Sequence, residues 1–290
     1  MAVPDSHLVA VAVLGTLAVI FFSVERVAPL RPRRAPLLRR LLVNAVISAS
    51  ALGAAVVAVR PAAAAAFAWT SDAHFGLVQF IDAPAAIRAA AAFVLMDLSF
   101  YYWHRLNHRL PLLWRFHNIH HLDPDLDVST SFRFHFGEVG LSACFRAVQI
   151  LLIGPSLGAY LAYEFVFQAN TLFQHSNIKL PVKVERILNR LLVTPRMHGI
   201  HHSEILRENR SNFGVVFPWW DRIHRSLRLN IPQSRVSIGV AGYSLPEDNG
   251  LWRALVMPFR RQRDYWTAPD GRRPERDEAV LGELPSRMVE

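Results

Sequence analysis

Ten of the chain's thirteen histidines lie between His104 and His202, and eight of those ten fall in three short sets. The sets read HRLNH (His104, His108), HNIHH (His117, His120, His121) and HGIHH (His198, His201, His202). On an α-helix, residues three and four apart share a face, so the rings of each set can point one way. A neutral imidazole offers one ring nitrogen to Fe, Zn, Cu or Ni. Eight rings from three helices are too many for one tetrahedral or octahedral ion with open positions. Two ions are therefore expected. Each HxxHH copy would supply one face of a shared cage, and the HxxxH pair would help close it.

His135 (RFHFGE) and His175 (FQHSN) stand alone and are expected to extend the ligand set. His7 and His74 are expected on the opposite side of the membrane, and His224 at the surface. A ligating histidine needs its other ring N–H anchored. The main candidates are Asp97, Glu138 and Asp221. Asp97 shares a helix face with Tyr101, His104 and His108. Glu204 and the aspartates around Pro124 (Asp123, Asp125, Asp127) are also candidates, although those aspartates read more simply as a polar turn.

The elements that must position these rings look membrane-embedded. Leu8–Val24 is apolar and uncharged, and at 1.5 Å per residue it covers about 26 Å, close to a hydrocarbon core. Leu41–Val59 is a second such run. Between them RPRRAPLLRR places Arg31, Arg33, Arg34, Arg39 and Arg40 in one loop, which the positive-inside rule assigns to the cytoplasm. Pro61–Ala83 looks too broken to span and is expected at the outer interface. Pro84–Tyr102 returns and delivers His104 to the arginine side. Residues 141–173 are expected to form a hairpin that dips into the bilayer and turns at Gly154-Pro155. Pro111 and Thr194-Pro195 mark helix starts before the second and third histidine sets. Val182–Leu192 and Leu251–Arg263 read as surface helices.

The expected architecture is an all-α integral membrane protein. It has about three transmembrane helices, a dipping hairpin and a cytoplasmic histidine-rich cap. An N-terminal membrane region (1–96), a histidine-box region (97–230) and a basic, polar tail (231–290) would make one domain. The tail is expected to be loosely ordered from Asp270 onward.

Composition agrees. The chain has 290 residues, 52% hydrophobic and only 19% charged, with a net charge of +9. Lys179 and Lys183 are the only lysines, so arginine carries that charge. Beside such apolar runs, anionic lipid headgroups are a better partner than nucleic acid. The single cysteine, Cys144, excludes an intrachain disulfide and a Cys-ligated cluster. The absence of HExxH disfavours a zinc protease.

From about Asp97 to Arg222 the sequence resembles the fatty acid hydroxylase/sterol desaturase superfamily of membrane histidine-box oxygenases. The resemblance rests on DLSFYYWHRLNH, LWRFHNIHH, RFHFGE, FQHSN, TPRMHGIHH and NFGVVFPWWDR. It implies two iron ions, replaceable by zinc during purification, held by the eight boxed histidines, with His175 a further ligand and His135 matched in only some branches. It also implies O2 as co-substrate and hydroxylation or desaturation of a lipid. Electrons would come from a separate reductase, ferredoxin-like or cytochrome b5-like protein. The family often closes its last motif W-D-x-x-F-G-T, whereas here Trp220-Asp221 is followed by Arg222-Ile223-His224-Arg225-Ser226. The alternative is a membrane protein whose zinc is structural rather than catalytic. Structural sites usually close with four ligands, which this histidine count exceeds.

Overall fold

The structure, a computed structural model, describes residues 3–276, with side chains from Leu8 onward. His7 and residues 277–290 of the tail therefore lie outside the described side chains. The helices are α1 (Val3–Val27), α2 (Leu37–Ala54), α3 (Arg60–Ala73), α4 (Ala85–Arg109), α5 (Pro111–His121), α6 (Phe136–Ile153), α7 (Leu157–His175), α8 (Val182–Leu188), α9 (Pro195–His201), α10 (Leu206–Asn209), α11 (Trp219–Ile223) and α12 (Leu251–Val256). Among the described residues there is no strand, only two isolated bridges, Pro29–Ile178 and Ser203–Ile238.

Four helical stretches are long and apolar enough to cross a membrane: Leu8–Val27, Leu37–Phe80, Ala85–Arg109 and Phe136–Ile153. Most of their surface faces outward, as a lipid-facing helix requires.

One stretch differs from the sequence reading. α2 and α3 form one continuous helix, joined by a π-helical turn at Ala55–Val59. Pro61 has no N–H to donate, and its ring crowds the carbonyl four residues back. The wide turn just before it absorbs that conflict, so the helix continues instead of breaking. At 1.5 Å per residue the run is about 55 Å long, well beyond a hydrocarbon core of about 30 Å. α3 then lies along α6.

The α6–α7 hairpin turns at Gly154 (φ +66°), and Ser156 caps α7 by accepting from the Ala159 N–H. Gly76 (φ +126°) lies so close against Gly154 that neither position has room for a Cβ. Gln79 closes this corner by donating to the Gly154 carbonyl at 2.7 Å. Pro111 and Pro195 stand in the first turns of α5 and α9 as expected, although Thr194 makes no side-chain cap. α8 stops at Leu188, and α12 stops at Val256 ahead of Pro258.

The segment after residue 230 is not a detached tail. Ile231, Val236, Ile238, Val240, Tyr243, Ala254 and Met257 are buried. Val240, Tyr243, Ala254 and Met257 share a core with Val43 and Ile47 of α2 and Trp114 and Ile119 of α5. The apolar positions of this stretch are spaced irregularly, so no helical or strand period announced the packing. From Asp270 to Arg276 the chain is mostly exposed, yet Arg276 donates two bonds of 2.9 Å to the buried Glu208 carboxylate.

Candidate metal centre

The rings of nine histidines converge in two adjacent groups. The first holds His104 and His108 from α4, His117 and His121 from α5, and His201 from α9. The second holds His120 from α5, His175 from the end of α7, and His198 and His202 from and just after α9. Within each group the nearest ring nitrogens all lie within 4.8 Å of one another, and every residue is buried. The groups touch where His121 stacks on His202, with ring centroids 4.2 Å apart.

The partition follows from helix geometry. At about 100° per residue, positions i and i+4 diverge by about 40°, whereas i+3 and i+4 diverge by about 100°. The outer pair of a box therefore travels together and the middle histidine leaves it. In the second box His117 and His121 go to the first group and His120 to the second. In the third box His198 and His202 go to the second group and His201 to the first. The second and third boxes each serve both groups, in complementary proportions, whereas both histidines of the first box go to the first group.

The proton positions test whether a cation fits. A carbonyl only accepts, so a ring nitrogen facing one must carry the hydrogen. His104 Nδ1 donates to the Phe213 carbonyl at 2.8 Å, and His201 Nδ1 to the Ser211 carbonyl at 2.7 Å. Their Nε2 atoms then hold only lone pairs, yet they face each other at 3.0 Å. In the second group only His175 has its proton fixed in this way. His175 Nδ1 donates to the Thr171 carbonyl, leaving its bare Nε2 at 3.0 Å from Nε2 of both His120 and His198. Opposed lone pairs in a buried site repel unless a positive charge sits among them. A proton is disfavoured there, because burial pushes the His201 imidazole down to about 3. Burial, with the crowding of neighbouring rings, also pushes His120, His121, His198 and His202 well below the ordinary value. A metal ion removes the conflict. Two donors at right angles on an ion with bonds of about 2.1 Å lie about 3.0 Å apart. Nε2 of His108, His117 and His121 are buried with no protein partner, as inward-facing ligand atoms would be.

The candidate anchors divide into direct and indirect. Glu138 Oε1 accepts from His117 Nδ1 at 2.8 Å. Asp221 touches no boxed histidine. It accepts from the backbone N–H groups of Phe213 and Gly214, so it fixes the carbonyl that anchors His104. Asp97 is one step further away and accepts from Val216, Phe217 and the Trp220 indole. His135 stands apart from both groups, contrary to the ligand role expected for it. Its Nδ1 accepts from the Gly137 N–H as the N-cap of α6, and its Nε2 donates to the Leu255 carbonyl. Capping the helix start uses the lone pair that a metal would need.

Asp123, Asp125 and Asp127 do more than form a polar turn. Arg40 reaches Asp123 at 2.9 Å and also contacts Asp127, while Arg26 reaches Asp127 and the Asp125 carboxylate accepts from the backbone N–H groups of Arg34 and Ala35. Arg31 is buried against Gly199 of the third box, where a Cβ would collide with its guanidinium. The arginine loop is thus joined to the turn after the second box and to the third box, on the same side as the histidines. Glu204 lines the neighbouring cleft rather than the histidine cage. His74 is exposed at the end of α3, near the Gly76–Gly154 corner.

Asn209 was missed. This fully buried amide accepts from His108 Nδ1 at 2.9 Å, donates to the His201 carbonyl at 3.2 Å and lies 3.3 Å from His121 Nδ1. It contacts one histidine of each box. Its only trace in the sequence is a polar run, Glu208–Asn212, in a region otherwise rich in apolar residues.

The departure after Asp221 is also accounted for. His224 stands where the pattern has Phe, and it stacks on Tyr101 with centroids 4.8 Å apart instead of lying free at the surface. Arg225, at the glycine position, holds a left-handed backbone (φ +56°). Ser226, at the Thr position, donates to Asp221 at 2.6 Å.

Comparison with known proteins agrees with this geometry. The family profile described as fatty acid hydroxylase matches residues 89–226. Ornithine lipid hydroxylase OlsE of Rhizobium tropici is 29% identical over 179 residues, covering 62% of this chain and 52% of that protein. Human alkylglycerol monooxygenase is 30% identical over 137 residues, 46% of this chain and 29% of that one. Human cholesterol 25-hydroxylase is 26% identical over 137 residues, 47% and 49% of the two chains. The matched part of the chain thus spans about half the length of the first and third of these relatives and less of the second. No solved structure matches. The box order, the two histidine groups and these similarities lead to one conclusion: residues 89–226, just under half of the chain, are a fatty acid hydroxylase-like region, similar to members of the fatty acid hydroxylase/sterol desaturase superfamily.

Proposed function

We propose that the chain is a membrane-embedded, non-haem di-iron oxygenase that hydroxylates or desaturates an unactivated C–H position of a lipid. The observation that carries this reading is the pair of adjacent, buried, all-histidine groups, in the first of which the bare Nε2 atoms of His104 and His201 face one another. His104, His108, His117, His121 and His201 would hold one ion, and His120, His175, His198 and His202 the other. Neutral imidazoles leave such ions their full charge and room for a further ligand. Bound iron would supply the activation of O2 and the oxidation of the C–H bond.

The protein's own part is orientation. Glu138, Asn209 and the carbonyls of Phe213, Ser211 and Thr171 keep protons on Nδ1 and so aim Nε2 inward. Asp221 and Asp97 hold the backbone of residues 213–217 that supplies one of those carbonyls. A lipid substrate is supported by the names of the three relatives and by the four apolar helices. The arginine loop beside the cage supports a cytoplasmic metal centre, by the positive-inside rule. Electrons would come from a separate donor protein.

Iron and zinc per chain, measured in gently solubilised protein, test the cage. About two ions in wild type are expected, falling to about one in His201→Ala, which opens the first group, and in His120→Ala, which opens the second. No bound metal in wild type, or no loss in either variant, would refute it. Product analysis with O2, a reductant system and lipid extracts then separates hydroxylation from desaturation.

A further inference from the structure

Beside the turn that follows the second box, with no boxed histidine in its lining, lies a cavity of about 280 Å³. Its walls come from the first turns of α2, the turn after His121 and the segment around Val240–Asn249. We propose that this cavity binds the phosphate or carboxylate headgroup of an anionic membrane amphiphile. The proposal does not depend on the metal-centre reading.

Charge is the first argument. Arg133, on the cavity wall, is fully buried, yet no carboxylate lies within ion-pair distance of it among the described residues. Its guanidinium donates only to neutral oxygens: the Ile119 carbonyl at 2.9 Å, Asn44 Oδ1 at 2.7 Å and Asn249 Oδ1 at 3.0 Å. Asp123, close by, is already taken by Arg40, Asn44 and Thr130. A buried charge without a counter-charge is costly, and an anion in the cavity would reduce that cost. Two more arginines, Arg34 and Arg39, are exposed and line the same cavity. The one acidic wall residue, Glu204, interacts with Arg34, Arg272 and Arg276, so cations outnumber it.

Place and shape are the second argument. α2 begins at Leu37 and is part of a candidate span, so the cavity lies at the end of a membrane helix, where headgroups lie. The lining also includes apolar side chains, Val43, Leu122 and Val240. The volume is small for a whole lipid and suits a headgroup with the first atoms of its tails. Guanidinium groups bind phosphate and carboxylate through paired N–H donors.

The test is titration calorimetry on the full-length protein in neutral detergent. The probes are dihexanoyl phosphatidylglycerol, dihexanoyl phosphatidylcholine and inorganic phosphate. Phosphatidylglycerol should bind at least about tenfold more tightly than phosphatidylcholine. An Arg34→Gln/Arg39→Gln double variant should lose about that factor. Ser244→Trp fills the cavity without changing its charge and should weaken binding to a similar degree. Inorganic phosphate binding more weakly than phosphatidylglycerol supports a lipid source. Phosphate binding equally well, and displacing the lipid, overturns the lipid source and assigns the site to a soluble anion. Equal binding of both lipids, unchanged in both variants, overturns the anion site altogether.

Discussion

The two histidine groups are built from the same kind of residue but held in different ways. In the first group four of the five outward nitrogens are tied to named acceptors: Phe213 O for His104, Asn209 Oδ1 for His108, Glu138 for His117 and Ser211 O for His201. In the second, only His175 is tied, to Thr171 O, while Nδ1 of His120, His198 and His202 has no protein partner. His120 is instead clamped flat against Phe134, with centroids 4.5 Å apart and planes 12° from parallel. Hydrogen bonds fix both tautomer and direction, whereas stacking fixes a ring plane and leaves the proton free to choose. The first group should therefore be the more rigid and selective metal site, and the second the more adaptable.

The largest effect that tests this contrast is removal of a ligand from each group. His201→Ala and His120→Ala should each lose about one ion and reduce lipid oxidation by at least about a hundredfold, as measured by metal analysis and product formation. The contrast fails if either variant loses both ions while remaining folded. Next come the hydrogen-bonding partners. Asn209→Leu and Glu138→Ala should each lower affinity for one of the two ions by about 10- to 100-fold in competition with a chelator. Asn209→Asp, which still accepts from His108, should recover part of the loss. A smaller change is expected at the stacking contact. Phe134→Leu should weaken the other ion only a few-fold, since a stacked pair contributes about 0.5–1.5 kcal/mol. An effect as large as that of Asn209→Leu would show that packing orients rings as firmly as hydrogen bonds do.

A separate expected effect, on stability rather than on metal affinity, is a pH dependence of the metal-free protein. His120, His121, His198, His201 and His202 are held neutral by burial, with His201 at about 3 against an ordinary value of 6.5. Below about pH 6.5 the unfolded chain binds protons that the folded chain refuses. The folded state should therefore lose stability as pH falls from about 6.5 toward 3, and keep it above 6.5. Thermal melting of chelator-treated protein at pH 7.5 and pH 5 would show this as a lower midpoint in acid. Metal-loaded protein should shift less at pH 5, until the ions dissociate.

The sequence alone announced the histidine cluster and most of the elements. Imidazole rings three and four apart lie on neighbouring faces of a helix, so the boxes were legible as a histidine cluster of metal-ligand type, although not as two groups. Long uncharged apolar runs can only be buried or face lipid, so the membrane helices were legible too. Gly154-Pro155 announced the hairpin turn and the early prolines announced two helix starts, because these residues constrain their own backbone. Tertiary structure decided the rest. Whether a box serves one ion or two depends on where neighbouring helices place their rings. Whether His135 binds metal or caps α6 depends on which partner its nitrogens meet. The burial of Arg31, Arg40 and Arg133, and the role of Asn209, depend on segments up to a hundred or more residues away. The continuation of α2 through Pro61 depended on a π-turn that no residue type spells out. Local stereochemistry is encoded by neighbours in the chain, whereas a buried polar group's partner is fixed only when distant segments pack together.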